Sequence, residues 1–150
     1  MILSGKDLIA CAQTGTGKTA AFVLPVLDAL SKQASDDTKA LIIVPTRELA
    51  LQIDQAIQGL SYFTSISSLP IYGGGDGQVF AREKKALMEG ANIIIATPGR
   101  LEDLERQGVV DLSNITLTVL DEADHMCDLG FLEPVQRILR ATDPEGQRLL

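Results

Sequence analysis

Short apolar runs alternate along this chain with segments in which apolar residues recur every three or four positions. The runs are too continuous for half-exposed strands and predict strands buried on both faces. These strands are expected at residues 8–12, 40–44, 66–71, 93–96 and 117–120. The periodic segments predict amphipathic helices from about residue 18, after residue 47 and around residue 135. The alternation predicts an α/β fold of three layers, a mostly parallel sheet with helices on both faces.

A polar or glycine-rich segment follows each predicted strand. These segments comprise residues 13–19, 45–47, 73–75, 97–100 and 121–124. Because parallel strands end at the same edge of a sheet, the five segments are expected to form one surface. Open α/β sheets bind their ligands at this edge. The sequence therefore predicts a ligand site assembled from distant parts of the chain.

The composition narrows the class of protein and of ligand. A chain of 150 residues with 45% apolar positions is long enough for one domain with its own core. Its net charge of −7 argues against a broad basic surface for nucleic acid, so phosphate groups would need local donors. Cys11 and Cys127 are too few for a disulfide framework, and the apolar runs are too short for a bilayer. We expect a soluble cytoplasmic protein with neither a membrane nor a disulfide partner.

The segment AQTGTGKT, which begins at Ala12, has the composition of a phosphate-binding loop. It lies between a predicted strand and a predicted helix, where Gly15 and Gly17 let backbone N–H groups surround phosphate oxygens. Lys18 would reach the β- and γ-phosphates, and the Thr19 hydroxyl would bind Mg²⁺. The strict pattern has glycine at the first position, and an ordinary glycine-rich turn is the alternative interpretation. The Gly-Lys-Thr ending favours nucleotide binding.

Three carboxylates, Asp121, Glu122 and Asp124, stand within four residues at the end of a predicted strand. Without a counter-charge they would repel one another, so a divalent cation is the natural partner. Asp121 is expected to hold Mg²⁺ through water, and Glu122 to polarise the water that attacks a γ-phosphate. The alternative interpretation is that these acids only complement the positive end of a helix.

Two segments, PTRELA from Pro45 and TPGR from Thr97, place a hydroxyl, backbone amides and an arginine where a strand passes into a helix. Such a combination suits a sugar-phosphate backbone and reads no base. An ordinary helix start containing proline is the alternative. The glycine turn after Tyr72 either admits a backbone closely or only reverses the chain. The charged residues 82–85 are interpreted as the solvent-exposed face of a helix.

Taken together, AQTGTGKT, PTRELA, the glycine turn, TPGR and DEAD resemble the motifs of DEAD-box RNA helicases in order and in spacing. The DLGF sequence after the acidic segment is also similar to that family. The resemblance extends over essentially all 150 residues, and the combination of motifs is specific. It implies the first of the two RecA-like lobes of such an enzyme, in which alanine commonly occupies the position of Ala12.

The resemblance implies a role for each motif residue. ATP would be bound by Gln13, Thr14, Gly15, Thr16, Gly17, Lys18 and Thr19. Mg²⁺ would be held by Thr19 and Asp121, and hydrolysis would depend on Glu122, Lys18 and Asp121. The backbone of single-stranded or short duplex RNA would be contacted by Pro45, Thr46, Arg47, Gly73, Gly74, Thr97, Pro98, Gly99 and Arg100. Asp124 would couple this lobe to the second one.

The family has parts that this sequence lacks. An adenine-recognition segment would come before residue 1, a Ser-Ala-Thr motif after residue 150, and a second lobe with an arginine finger further on. We therefore expect a partial RecA-like lobe with little turnover alone, which acts within an enzyme that unwinds RNA by ATP-driven closure of two lobes. Two alternatives stay open: a non-catalytic nucleotide- or RNA-binding module, and the equivalent lobe of a DNA helicase.

Overall fold

The computed structural model describes residues 2–12, 15–32, 37–74 and 77–150, and these form a five-stranded sheet. The strands are β1 (Ala40–Ile43), β2 (Ser68–Ile71), β3 (Ile93–Ala96), β4 (Leu117–Leu120) and β5 (Gln147–Leu149). They lie in the order β2-β3-β1-β4-β5, and every neighbouring pair is parallel. The parallel pairing places the carboxyl ends of the strands at a common edge.

Helices connect the strands of the described chain. They are a short 3₁₀-helix (Ile2–Ser4), α1 (Lys18–Ser31), α2 (Arg47–Leu60), α3 (Gly77–Glu89), α4 (Pro98–Arg106), α5 (Ala123–Asp128) and α6 (Leu132–Ala141). Local chemistry sets where two of them begin. The Thr46 side chain accepts a hydrogen bond from Leu49 N–H at 3.3 Å and caps α2. Pro98 starts α4, where its missing N–H removes no helical hydrogen bond.

The sheet separates two apolar cores, one beneath each layer of helices. Side chains alternate along β1, because Ile42 belongs to the core with α1 and α2, whereas Leu41 and Ile43 belong to the core with α4 and α6. Every residue of β1, β3 and β4 is buried. This burial on both faces confirms the predicted α/β fold with a helical layer on each side of a parallel sheet.

The strand predicted at residues 8–12 is wrong in extent and in burial. Leu8 forms a single parallel bridge with Leu149, and its N–H donates to Arg148 O at 3.0 Å. Ile9 is 77% exposed. The segment lies beside β5 at the edge of the sheet, where a strand has less cover than in the centre. The apolar run therefore indicated a hydrophobic segment correctly, but it did not indicate that this segment lies at the edge of the sheet.

The described ranges contain no helix that is long and apolar enough to cross a membrane. Cys11 lies in the edge segment beside β5, and Cys127 lies on α5. Both are exposed free thiols.

Candidate functional site

The polar segments that follow the strands lie together at the carboxyl edge of the sheet. Residues 45–46 follow β1, residues 72–74 follow β2, residue 97 follows β3 and residue 121 follows β4. Gln13 and Thr14, which were expected in the phosphate loop, lie outside the described residues. The remaining segments are brought to one edge by the parallel pairing of β1 to β4.

Two glycines shape the chain just before α1. Gly15 and Gly17 have φ angles of 80° and 82°, in the left-handed region that glycine adopts without strain. Gly17 is the N-cap of α1, and the Gly17 carbonyl accepts a hydrogen bond from Ala21 N–H at 3.0 Å. A Cβ built at either glycine meets no described atom within 4 Å beyond its chain neighbours. The described residues therefore leave room beside both glycines at the start of α1, and the unpaired N–H groups and positive dipole end of a helix N-terminus favour an anion.

Lys18 and Asp121 join this loop to the acidic segment. The Lys18 Nζ lies 2.6 Å from Asp121 Oδ1, and the two side chains are 33% and 4% exposed. The hydrogen bond to Asp121 raises the pKa of the Lys18 ammonium and outweighs the opposing effect of partial burial. The charges of Glu122 and Asp124 add to this rise. Lys18 thus supplies the counter-charge that the cluster of acids requires.

The chain turns sharply at the second acid of this segment. Asp121 continues the hydrogen bonding of β4, since Asp121 N–H donates to Ile43 O at 3.0 Å. Glu122 then adopts a φ of 55°, the only positive φ of a non-glycine residue among the described residues. Such a conformation costs on the order of 1–3 kcal/mol and is concentrated at functional sites. The Glu122 side chain makes no capping hydrogen bond to α5, so helix capping does not account for this residue.

The acidic segment does not form a closed metal cage. Across the described part of the chain, no three His, Cys, Asp or Glu side chains are grouped so as to hold a metal ion. Thr19, half-buried in the first turn of α1, and Asp121 together offer a hydroxyl and a carboxylate. These are oxygen donors that suit Mg²⁺, which binds few protein ligands when phosphates and water complete its shell. The residues therefore fit Mg²⁺ carried by a phosphate ligand.

A pocket of about 400 Å³ opens beside the ion pair. Lys18, Asp121, Glu122 and Asp124 contribute its polar wall. Most of the remaining lining is apolar and comes from the 3₁₀-helix, the edge segment, α1, β4, the start of α5 and β5. The carboxylates thus face a hollow with mostly apolar walls, in which electrostatic interactions are stronger than in water.

The two residues that begin α2 differ in exposure and in contacts. The Thr46 oxygen is used in capping the helix, and Pro45 before it is buried. Arg47 is exposed, and its Cζ lies 4.7 Å from the centroid of the Tyr72 ring. This cation–π contact holds the guanidinium over the residue that precedes the glycine turn. The turn itself contains Gly73 and Gly74, the latter with a φ of 93°.

The TPGR segment is tied to α3 through its arginine. Arg100 donates from Nε at 2.9 Å and from Nη2 at 2.5 Å to Glu83 Oε2. The Glu83 and Arg100 side chains are 8% and 18% exposed. Thr97 N–H donates to Ile71 O at 3.1 Å, which extends the pairing of β2 and β3. Gly99 stands between these contacts in the first turn of α4.

Glu83 is a residue that the sequence analysis missed. The charge pattern of residues 82–85 predicts a solvent-exposed face, which holds for the exposed Lys84 and Lys85 but is wrong for the buried Glu83. Its position carried a signal, because Glu83 stands four residues before the apolar Leu87. That spacing puts a carboxylate on the apolar face of the helix, where a buried partner is required.

The sheet order, the glycine loop before α1 and the acidic turn after β4 define a RecA-like α/β lobe. Solved structures agree with this class. A DEAD box protein from the hyperthermophile Methanococcus jannaschii superposes with a TM-score of 0.90 at 36% identity, over 99% of this chain and 39% of that one. A hypothetical ATP-dependent RNA helicase from Sulfolobus tokodaii gives a TM-score of 0.86 at 35% identity, over 99% and 42%.

The family model described as DEAD/DEAH box helicase matches residues 1–150. The ATP-dependent RNA helicase DBP3 of Lodderomyces elongisporus is 44% identical over 99% of this chain and 27% of its own length. The ATP-dependent RNA helicase CshA of Listeria monocytogenes is 43% identical over 99% and 28%. The chain belongs to the DEAD/DEAH box helicase family, and it spans less than a third of these relatives.

Proposed function

We propose that this chain is the ATP- and RNA-binding lobe of an ATP-dependent RNA helicase that unwinds short duplexes. The observation that carries the proposal is the contact of Lys18 with Asp121, which unites a phosphate loop and an acidic box at the same edge as PTR and TPGR. The relatives named above are called ATP-dependent RNA helicases, which supports the same activity. The exposed thiol of Cys11 suits a reducing compartment, and we infer a cytoplasmic location.

In this proposal, residues 13–19 bind the triphosphate of ATP. The N–H groups at the start of α1 bind phosphate oxygens, and Lys18 moves from Asp121 to the β- and γ-phosphates. Thr19 would hold Mg²⁺ directly, and Asp121 would hold it through water. When bound, Mg²⁺ neutralises phosphate charge and lowers the barrier to attack on the γ-phosphate.

Glu122 is proposed as the base that orients and polarises the attacking water. Glu122 has a positive φ, whereas Asp121 continues the hydrogen bonding of β4, so the two adjacent acids have different backbone conformations. They can therefore serve different tasks. Asp124, exposed in the first turn of α5, is proposed to couple this site to the second lobe. ATP-driven closure of the two lobes then bends one RNA strand, and hydrolysis releases it.

RNA is proposed to lie across the neighbouring part of the edge. Its backbone contacts residues of three segments: Pro45, Thr46, Arg47, Gly73, Gly74, Thr97, Pro98, Gly99 and Arg100. Contacts of this kind position a strand without reading its sequence. The 2′-hydroxyl is the group by which such a site distinguishes RNA from DNA.

Nucleotide titration tests the first half of this proposal. A fluorescent ATP analogue is titrated with Mg²⁺ into the wild-type chain, Lys18→Ala and Lys32→Ala. Lys32 directly follows the other end of α1, where it pairs with Asp28 of the last turns, and it is the matched control. We expect Lys18→Ala to weaken binding at least tenfold and Lys32→Ala to leave it unchanged, since only Lys18 faces the phosphates. Equal affinities in all three proteins would contradict the assigned site.

RNA dependence tests the second half. Affinity for a labelled single-stranded RNA is compared with that for DNA of the same sequence, in the presence of nucleotide and at low salt. We expect a preference for RNA and little ATP turnover by this chain. Equal or better binding of DNA would favour a DNA helicase lobe, and robust RNA-stimulated turnover would contradict the proposed need for a second lobe.

A further inference from the structure

Glu83 contacts one of the three segments proposed to bind RNA and the residue that precedes a second, and it reaches the third through one side chain. Its Oε2 accepts both hydrogen bonds from Arg100 of TPGR. Its Oε1 accepts a longer one, at 3.4 Å, from the backbone N–H of Tyr72, directly before the glycine turn. The Tyr72 ring in turn lies under Arg47 of PTR. The Glu83 carboxylate thus contacts Arg100 and the Tyr72 main chain directly, and it is connected to Arg47 through the Tyr72 ring.

The surroundings of this carboxylate fix its geometry. Glu83 is only 7% exposed, so its charge depends on the partners that surround it. The Arg100 fork comes from the first turn of α4, after β3, and the Tyr72 N–H comes from the loop after β2. Loss of the carboxylate would remove both contacts, although β2 and β3 themselves would remain paired.

We propose that Glu83 is a positioning residue for RNA: it ties the start of α4 to the glycine turn and so holds the backbone-contacting groups of both segments in register. The inference rests on the proposed RNA site at this edge. Glu83 itself does not touch RNA. It acts through Arg100 and through the Tyr72 main chain.

A positioning role for Glu83 and simple electrostatics predict effects of opposite sign on RNA affinity. An acid near a bound phosphate backbone repels it, so removing that acid would strengthen binding if charge alone mattered. A positioning role requires that binding weaken, even when the charge is kept. Glu83→Asp separates the two, because it keeps the charge but shortens the reach by one methylene group.

The experiment measures the affinity of a fluorescein-labelled oligouridylate by anisotropy, for the wild-type chain, Glu83→Asp, Glu83→Gln and Glu89→Asp. Glu89 is exposed at the end of the same helix and is the control for shortening an acid. We expect Glu83→Asp to lose about tenfold in affinity, the size of effect of a lost interface anchor. Glu83→Gln, which keeps the reach, loses less, and Glu89→Asp stays at the wild-type value.

Unchanged affinity of Glu83→Asp, or a larger loss in Glu83→Gln than in Glu83→Asp, would overturn the proposal. Binding of the ATP analogue by each variant establishes that it is folded. Amide hydrogen exchange at Tyr72 gives a readout that needs no RNA, and we expect it to accelerate in Glu83→Asp alone. If the wild-type chain binds no RNA, the proposed function fails. The amide exchange rate at Tyr72 still tests the role of Glu83 in that case. An unchanged rate in Glu83→Asp would overturn the proposal that Glu83 holds the Tyr72 main chain.

Discussion

The Lys18 ammonium lies 2.6 Å from the Asp121 carboxylate, although the two residues are separated by most of the chain. The contact joins the first residue of α1 to the residue that directly follows β4. Each partner also has a proposed ligand, phosphate for Lys18 and Mg²⁺ for Asp121. The proposed function therefore predicts that nucleotide entry would exchange this ion pair for two ligand contacts.

We predict that Asp121→Asn destabilises the nucleotide-free chain by about 1 kcal/mol, because Lys18 loses its charged partner. Urea unfolding at neutral pH measures the change. Asp28→Asn, which breaks the exposed pair with Lys32, is the control and should cost less than about 0.5 kcal/mol. Equal losses in the two variants would mean that the pair of Lys18 with Asp121 contributes no more to the free energy of unfolding than an exposed ion pair does.

Gly17→Ala is expected to destabilise the chain by about 1 kcal/mol, because its φ of 82° is unfavourable for any residue with a Cβ. Nucleotide affinity should fall as well. Gly59→Ala is the matched control, since Gly59 lies within α2 and a Cβ there meets no described atom within 4 Å beyond its neighbours. That change should stabilise by about 0.5–1 kcal/mol. Thermal unfolding of both variants would refute the argument if their shifts had the same sign.

Tyr72→Leu is predicted to weaken RNA binding about two- to fivefold, because Arg47 loses the ring that orients it. Nucleotide affinity should not change. Tyr62→Leu removes an exposed tyrosine that contacts Phe63 instead, and it should leave both affinities unchanged. Anisotropy titrations with labelled RNA measure the effect. A loss of RNA affinity of equal size in Tyr62→Leu would mean that the effect does not depend on the contact between Arg47 and Tyr72.

Asp54 predicts a dependence of stability on pH. Burial raises its pKa above 3.8, although hydrogen bonds from Ser68 and Gln58 oppose the rise. The folded state therefore holds this proton more tightly than the unfolded chain. The contribution of Asp54 is greatest below pH 3.8 and declines as pH rises through the raised pKa. The free energy of unfolding of Asp54→Asn, compared with that of the wild type at the same pH, should thus increase from acid to neutral pH.

Asp111 supplies the control of opposite sign for this series. Hydrogen bonding from the Ser113 backbone lowers the pKa of Asp111 below 3.8, so its contribution appears above that pH and is lost in acid. Asp111→Asn should therefore lose stability, relative to wild type, as pH rises. Urea midpoints measured across the acid range would contradict both assignments if the two variants moved in the same direction.

The sequence predicted the centre of the sheet better than its edges. The runs at β1, β3 and β4 are buried on both faces, so hydrophobicity alone was enough to locate them. β2 begins at Ser68, two residues later than predicted, and only Ile71 of its four residues is buried. At such edge positions local hydrophobicity does not determine burial, because burial depends on which neighbours the tertiary fold supplies.

The candidate site could be predicted as a set of segments but not as a set of contacts. Motif spacing and the parallel sheet were enough to bring the segments to one edge. The pairing of Lys18 with Asp121 and of Glu83 with Arg100 joins residues far apart in the chain. Such pairs depend on side-chain reach across the finished fold, which no local pattern contains.

The division of the core by the sheet also divides the anchoring of the proposed ligands. Lys18 and Arg47 begin helices of one layer, whereas Glu122 and Arg100 belong to the start of helices of the other. Among the described residues, the two layers pack on opposite faces of the sheet and contribute to separate apolar cores. In the proposed function, ATP and RNA bound along this edge would therefore contact residues from both layers, and loosening of either layer would weaken their binding.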